Sequence, residues 1–135
     1  MAQVAMDHRM RNGVDPGRNV AVFRVGGGED AHYFVSANEP GGLHSEEILH
    51  NHFVENGIDP KSVSGIYTER APCIGQHVCA SLVGQYGNAE QQFSLNSDFG
   101  GTKVRNYNRG RIGSAMGSYT GPSSAMPDIS QISPL

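Results

Sequence analysis

Residues 19–25 (NVAVFRV) and 32–37 (HYFVSA) are short runs rich in Val and Phe, divided by Gly26-Gly27-Gly28-Glu29-Asp30. β-branched and aromatic side chains suit a pleated, half-buried surface, so two such runs around a glycine break predict a hairpin. After a second break at 38–42 the period changes. Leu43, Ile48, Leu49, Phe53 and Val54 recur at helical spacing, which predicts an amphipathic helix from His44 to about Asn56, stopped by Gly57. Residues 63–68 (VSGIYT) read as a third strand. Pro72 and Cys73 open a second helix, running to about Gln85. Residues 91–96 (QQFSLN) read as a fourth strand, and 102–107, after the Asp98–Gly101 turn, as a fifth. The first 18 residues are polar and irregular, with turns at Gly13 and Asp15-Pro16-Gly17. Beyond Ile112 the chain is rich in Ser, Gly, Pro and Met and has no periodicity, so 113–135 reads as a tail on a domain of residues 1–112. The order β-β-α-β-α-β-β predicts an α/β architecture, a sheet with helices packed on it.

Composition bounds this picture. At 135 residues with 18 Gly and no Trp, the chain is one domain with a modest core and much loop. No apolar run approaches the ~20 residues of a membrane span, and the first residues lack the apolar stretch of a signal peptide. A soluble monomer is expected. The formal net charge of −3 does not advertise a nucleic-acid binder, but its distribution argues the other way. Lys103, Arg105, Arg109 and Arg111 fall together with Tyr107 in a stretch free of acids. Cations with an interleaved aromatic suit backbone contact and base stacking; a solvated basic loop is the competing reading. His8, Arg9 and Arg11 form a smaller basic group near the other end.

The candidate chemistry lies in two segments. His44-Ser45-Glu46 stands at the start of the first helix, and Pro72-Cys73, followed by Cys79, stands at the start of the second. One imidazole and two thiolates are typical zinc donors, and three protein ligands leave a fourth position for water in a catalytic site. The H-x-E…P-C pairing is the signature of zinc nucleobase deaminases. Two thiolates cancel the formal charge of the metal, and the helix N-terminus favours thiolate at Cys73. Mid-helix, the His44–Glu46 offset of about 200° would separate the two side chains. At the first turn both can reach one volume, where Glu46 serves as general base and then general acid. The two cysteines are separated by Ile74-Gly75-Gln76-His77-Val78, wider than the signature C-x-x-C. An uninterrupted helix would leave them about 240° apart. Gly75 therefore suggests a loop with the helix starting near His77, and either Cys79 or His77 completes the ligand set. His32, His50 and His52 form no H-E-x-x-H motif and read as ordinary surface or core residues.

With His44-Ser45-Glu46 at a helix start, Tyr67-Thr68-Glu69-Arg70-Ala71-Pro72-Cys73 at a strand end and Cys79 after it, residues 19–108 resemble the cytidine deaminase-like superfamily. The widened cysteine spacing looks most like the bacterial polymorphic-toxin deaminases. The resemblance implies an α-β-α sandwich around a five-stranded mixed sheet, and one zinc ion per chain held by His44, Cys73 and Cys79. It implies hydrolytic conversion of cytosine, less often adenine, with Glu46 as the catalytic residue. A base must be single-stranded or flipped out to be reached, so nucleic acid, with DNA favoured over RNA, is the expected substrate. Asn38 stands where family members often place a substrate-binding Asn, although Asn-Glu-Pro-Gly is also an ordinary turn. Tyr67 and Thr68 end the strand before Cys73 and would line the pocket, or Tyr67 belongs to the core. By resemblance the chain would be part of a secreted bacterial toxin acting in a recipient cell, with an immunity protein as partner. No helix between the last strands is visible, which suits a branch ending in an antiparallel hairpin. A free nucleoside or nucleotide deaminase, and a non-catalytic zinc-stabilised nucleic-acid-binding module, are the alternatives.

Overall fold

Burial along the central strand alternates between two layers, and this sets the architecture. In the computed structural model, which describes residues 1–71, 82–123 and 126–135, strand β1 (Val20–Val25) sends Val20 and Val22 to one face and Ala21 and Phe23 to the other, all fully buried. The first pair joins Val4, Ala5, Val14, Val35 and Tyr67 under helix α1 (Ala2–Asn12). The second joins Leu49 and Phe53 of helix α2 (Ser45–Glu55), together with Val63, Ile66, Val83 and Tyr86. Phe53 meets Phe34 and Phe23 edge-on, at centroid separations of 5.0 and 5.6 Å, the favoured geometry for aromatic pairs.

β1 pairs antiparallel with β2 (His32–Ala37) and with β3 (Val63–Arg70). β4 (Glu90–Leu95) lies parallel to β3, and β5 (Ile132–Pro134) lies parallel to β2. The five-stranded mixed sheet has the order β4-β3-β1-β2-β5, and helices cover both faces. The α/β sandwich expected from the sequence is thus present, and the hairpin, the first helix and the first four strands stand within two residues of their expected bounds.

Three readings are corrected. Residues 2–12 form α1, not an irregular segment; its buried stripe contains Arg9 beside Val4 and Ala5, so its apolar pattern is broken where the helix is most buried. Residues 102–107 are not a strand but the start of helix α3 (Thr102–Gly117). Its three glycines mask helical propensity, and it is held instead by the buried i, i+4 pair Asn108 and Ile112. The Asn108 amide donates to the Asn96 carbonyl and to Asp98 Oδ1, both at 2.8 Å. β4 is consequently followed by a helix rather than by an antiparallel hairpin partner. The fifth strand comes from the stretch read as a tail. Gln131 Nε2 donates to the carbonyls of Glu29 and Ala31 at 2.7 and 2.9 Å, and Ile132 packs against the α1-side core. Three residues paired through their backbone leave no periodic trace. Residues 72–81 of the second predicted helix lie outside the described residues; Leu82 and Val83 are helical.

Candidate active site

Strand direction gathers one end of the sheet. β2, β3 and β4 all finish there, β1 begins there, and α2 and α3 start there. Ligands of open α/β sheets bind outside the carboxyl ends of strands, and two helix N-termini add a positive field.

His44 is the N-cap residue of α2, with extended backbone (φ −75°, ψ 155°). Glu47 reaches back to accept from the His44 backbone N–H at 3.1 Å, and Asn38 Oδ1 accepts from the Ser45 N–H at 2.6 Å. The first turn is thus fixed from both sides, as expected where helical N–H groups lack intrahelical partners. His44 is half-buried, whereas Glu46 is only 3% exposed. Glu46 accepts from Asn19 Nδ2 at 3.3 Å and from Ser45 Oγ at 3.2 Å. Both partners are neutral, and among the described residues no cation pairs with this carboxylate. Burial pushes its carboxyl above the usual range. A buried carboxyl held by neutral donors at a helix start has the environment of a proton-transfer group.

Asn19 is a site residue that the sequence did not disclose. It is buried, its Nδ2 also donates to Ser45 Oγ at 3.0 Å, and its Oδ1 accepts from the Arg70 backbone N–H at 2.9 Å. One amide therefore locks the start of β1 to the end of β3 and to the first turn of α2. Its signal in the sequence was only a polar residue opening an apolar strand. Arg9, read as part of a basic group, is completely buried. It binds both Glu69 oxygens, and its remaining donors go to the carbonyls of Val14, Asp15 and Arg18. Glu69 Oε1 also accepts from the Val20 N–H at 2.9 Å. The pair ties the 14–18 loop to β1 and β3.

The other expected site residues are dispersed. Asn38 uses its side-chain oxygen as a cap, and its Nδ2 has no partner among the described residues. Thr68 is buried on the α2 side of the sheet, with its hydroxyl on the Arg70 carbonyl. Tyr67 faces the opposite, α1 side and shares a hydrogen bond of 2.7 Å with Ser94 Oγ. Neighbours on a strand point to opposite faces, so these two do not share a wall. The basic residues of α3 divide as well. Arg105 and Arg109 are about 40° apart around the axis, whereas Arg111 and Tyr107 lie about 160° from Arg109. Arg105 and Arg109 line a cleft with Arg70. Arg111 borders Met6 and Tyr67 on the other flank, Tyr107 is 62% exposed, and Lys103 is exposed on the outer side.

Cys73, His77 and Cys79 lie outside the described residues, and among the described residues no group of three His, Cys, Asp or Glu side chains comes together. No helix among the described residues is long and apolar enough to cross a membrane.

No curated protein and no solved structure matches the chain. A family model described as Xanthomonas-like deaminase matches residues 16–110. That span runs from the Pro16 turn through both halves of the H-x-E…P-C pairing to α3, and the buried Glu46 at the start of α2 falls within it. The chain belongs to the Xanthomonas-like deaminase family, a deaminase family of the cytidine deaminase-like superfamily.

Proposed function

We propose that this deaminase converts cytosine to uracil in nucleic acid, with DNA favoured, using one zinc ion, and that it acts as the toxic part of a secreted bacterial protein whose producer carries an immunity protein. The observation that carries the reading is the buried Glu46 at the first turn of α2, two residues from His44 and fixed by Asn19 and Ser45.

The donor chemistry fits zinc. His44, Cys73 and Cys79 would hold it, with His77 as the alternative to Cys79; Cys73 follows the last residue of β3 by three positions, and β3 ends beside Asn19. A bound zinc supplies Lewis acidity that makes a water nucleophilic at neutral pH. Glu46 would take the proton of the attacking water, pass it to the ring nitrogen as the C4–O bond forms, and deliver a proton to the departing amine as the C4–N bond breaks. Water is consumed and ammonia released. The Nδ2 of Asn38, without a partner among the described residues, can donate to the base or its sugar, and the buried position of Glu46 keeps bulk water from competing.

The test is to incubate the purified chain with single- and double-stranded DNA, RNA and cytidine, and to weigh the products. A mass gain of about one dalton per converted base, lost in Glu46→Gln while stoichiometric zinc remains, is expected. Undiminished product from that variant would overturn the mechanism. Conversion of free cytidine with none of an oligonucleotide would overturn the nucleic-acid substrate. Metal content assigns the third ligand: Cys79→Ala should lose zinc, and loss in His77→Ala instead would move the role to His77.

A further inference from the structure

A cleft of about 330 Å³ is lined by Gly17, Arg70, Asp98, Thr102, Arg105 and Arg109 among others, and the backbone of its Arg70 is tied to Glu46 through the side chain of Asn19. We infer that this cleft is a subsite for a backbone phosphate next to the target nucleotide. The inference rests on the nucleic-acid reading above and adds the residues that read the strand.

Charge comes first. Three arginines line the cleft. Arg70 is only 5% exposed and lies 2.9 Å from Asp98 Oδ2 through Nε. That contact is not aligned as a hydrogen bond, so Arg70 Nε is a buried donor without a hydrogen-bond partner among the described residues. Its Nη atoms donate to the Arg18 and Pro16 carbonyls at 3.1 and 2.7 Å, which fixes the group in place. Arg109 pairs with Asp15 at 2.9 Å and lies against Gly17, where an added Cβ would sit 3.0 Å from Arg109 Nη2. Arg105 is exposed and has no ion pair or hydrogen bond from its side chain among the described residues. Two carboxylates against three guanidiniums leave a local surplus of one positive charge in a chain of formal net charge −3.

Backbone comes second. α3 starts at the cleft wall. Its N-cap, Gly101, has φ 115° and supplies no side-chain cap, so the first N–H groups of a 16-residue helix lack that usual partner and carry the positive end of the helix dipole. The Thr102 hydroxyl stands beside them as a further donor. Arginine forks and helix N–H groups are the donors that phosphate oxygens select.

Position comes third. The Arg70 backbone N–H bonds Asn19, and Asn19 bonds Glu46, so the cleft opens at the same sheet end as the reacting group. A single-stranded substrate with its base at Glu46 would lay its neighbouring phosphate over Arg105 and Arg109. Lys103, Tyr107 and Arg111, on other faces of α3, would not share that phosphate.

The test measures binding of a fluorescein-labelled ten-nucleotide single-stranded DNA containing one cytosine, by anisotropy against salt, in the full chain carrying Glu46→Gln so that no turnover intervenes. Adding Arg105→Gln should weaken binding about tenfold at low salt and reduce the slope of log K against log salt by about 0.7, the value of one lost single-strand phosphate contact. Replacing the phosphates flanking the cytosine with neutral methylphosphonates should weaken the parent similarly and make Arg105→Gln nearly silent. Lys61→Gln, a charge loss at the opposite end of the sheet, should change affinity less than twofold. Cytidine and its 5′-monophosphate as competitors separate a strand phosphate from a free nucleotide; stronger competition by the monophosphate than by an unlabelled oligonucleotide overturns the strand assignment. An unchanged salt slope in Arg105→Gln, or dependence on Lys103 and Arg111 instead, overturns the subsite while leaving the nucleic-acid reading intact. Absence of oligonucleotide binding by the parent overturns both.

Discussion

Replacing Asn19 with Ala removes three hydrogen bonds at once: to Ser45 Oγ (3.0 Å), to Glu46 Oε1 (3.3 Å) and from the Arg70 N–H (2.9 Å). The bond to Ser45 is neutral and worth about 1 kcal/mol net. The bond to Glu46 is long, which offsets the gain expected for an ionised acceptor. The larger loss is at Arg70, whose backbone N–H is left buried without an acceptor, at about 1–3 kcal/mol. The sum is about 2–4 kcal/mol. For a chain of this size each kcal/mol moves the midpoint by roughly 3–4 °C, so thermal unfolding should fall by about 6–16 °C. Far-UV circular dichroism measures this directly. The double variant Asn19→Ala/Ser45→Ala should be more stable than the sum of the single changes predicts, by about 1 kcal/mol, because both changes remove the same bond. Deamination at 20 °C, where the variant remains folded, should fall roughly tenfold to a hundredfold, since Glu46 loses one of the two side-chain donors that hold it among the described residues and small misplacements are costly. A midpoint drop under about 3 °C, or additivity within about 0.3 kcal/mol, would refute the claim that Asn19 joins the three segments.

The Arg9–Glu69 pair should behave as a buried ion pair. Arg9→Met leaves Glu69 uncompensated and should cost about 3–5 kcal/mol, while adding Glu69→Gln, which still accepts from Val20, should recover part of that in urea titrations. Phe53→Ala removes a ring that packs on Phe23, Phe34 and Tyr86 and should cost about 3–5 kcal/mol by the same measurement. Tyr86 is fully buried and hydrogen-bonded to His50 Nδ1 at 2.7 Å, and burial pushes its phenol up to about 12. An unfolded phenol ionises near ~10, so above that pH the unfolded chain releases a proton the folded chain keeps. The stability tied to this group is complete below pH ~10 and is lost as pH rises through about 12. Tyr86→Phe should flatten that alkaline decline, and an unchanged decline between pH 9 and 12 would exclude Tyr86 as a source.

The fold was legible where burial and periodicity agree. β1 and β2 alternate or run apolar with β-branched residues, and α2 repeats Leu49 and Phe53 at helical spacing, so their spans could be read directly. α1 was not legible because a fully buried position holds Arg9, and a scan for apolar residues counts it as surface. α3 was misread because Gly110, Gly113 and Gly117 weaken the helical signal, while the residue that anchors it, Asn108, is polar. β5 is specified by partners a hundred residues away, including the 2.7 Å bond between His32 Nε2 and Ser133 Oγ, and nothing local announces it. The site followed the same rule. His44 and Glu46 stand in a recognisable pattern and share one helix start. Asn19 is recognisable only once the sheet has brought residues 19, 46 and 70 together.

The two buried polar clusters have one consequence in common. Glu69 Oε1 holds the Val20 N–H, and the adjacent residue, Asn19, holds Glu46. Glu69 is itself held by Arg9, which also clamps the carbonyls of Val14, Asp15 and Arg18. A hydrophobic side chain at position 9 would give α1 an ordinary apolar stripe, and buried ion pairs are often replaced by apolar residues without loss of stability. It would not fix the 14–18 loop, because an alkyl group cannot hold carbonyl oxygens in register. That loop leads into Asn19 and carries Asp15 and Gly17 against Arg109. Arg9 therefore acts on the site without touching it. Through one guanidinium it sets the start of β1, and with it both the donor that supports Glu46 and the Gly17 wall of the cleft that Arg70 lines.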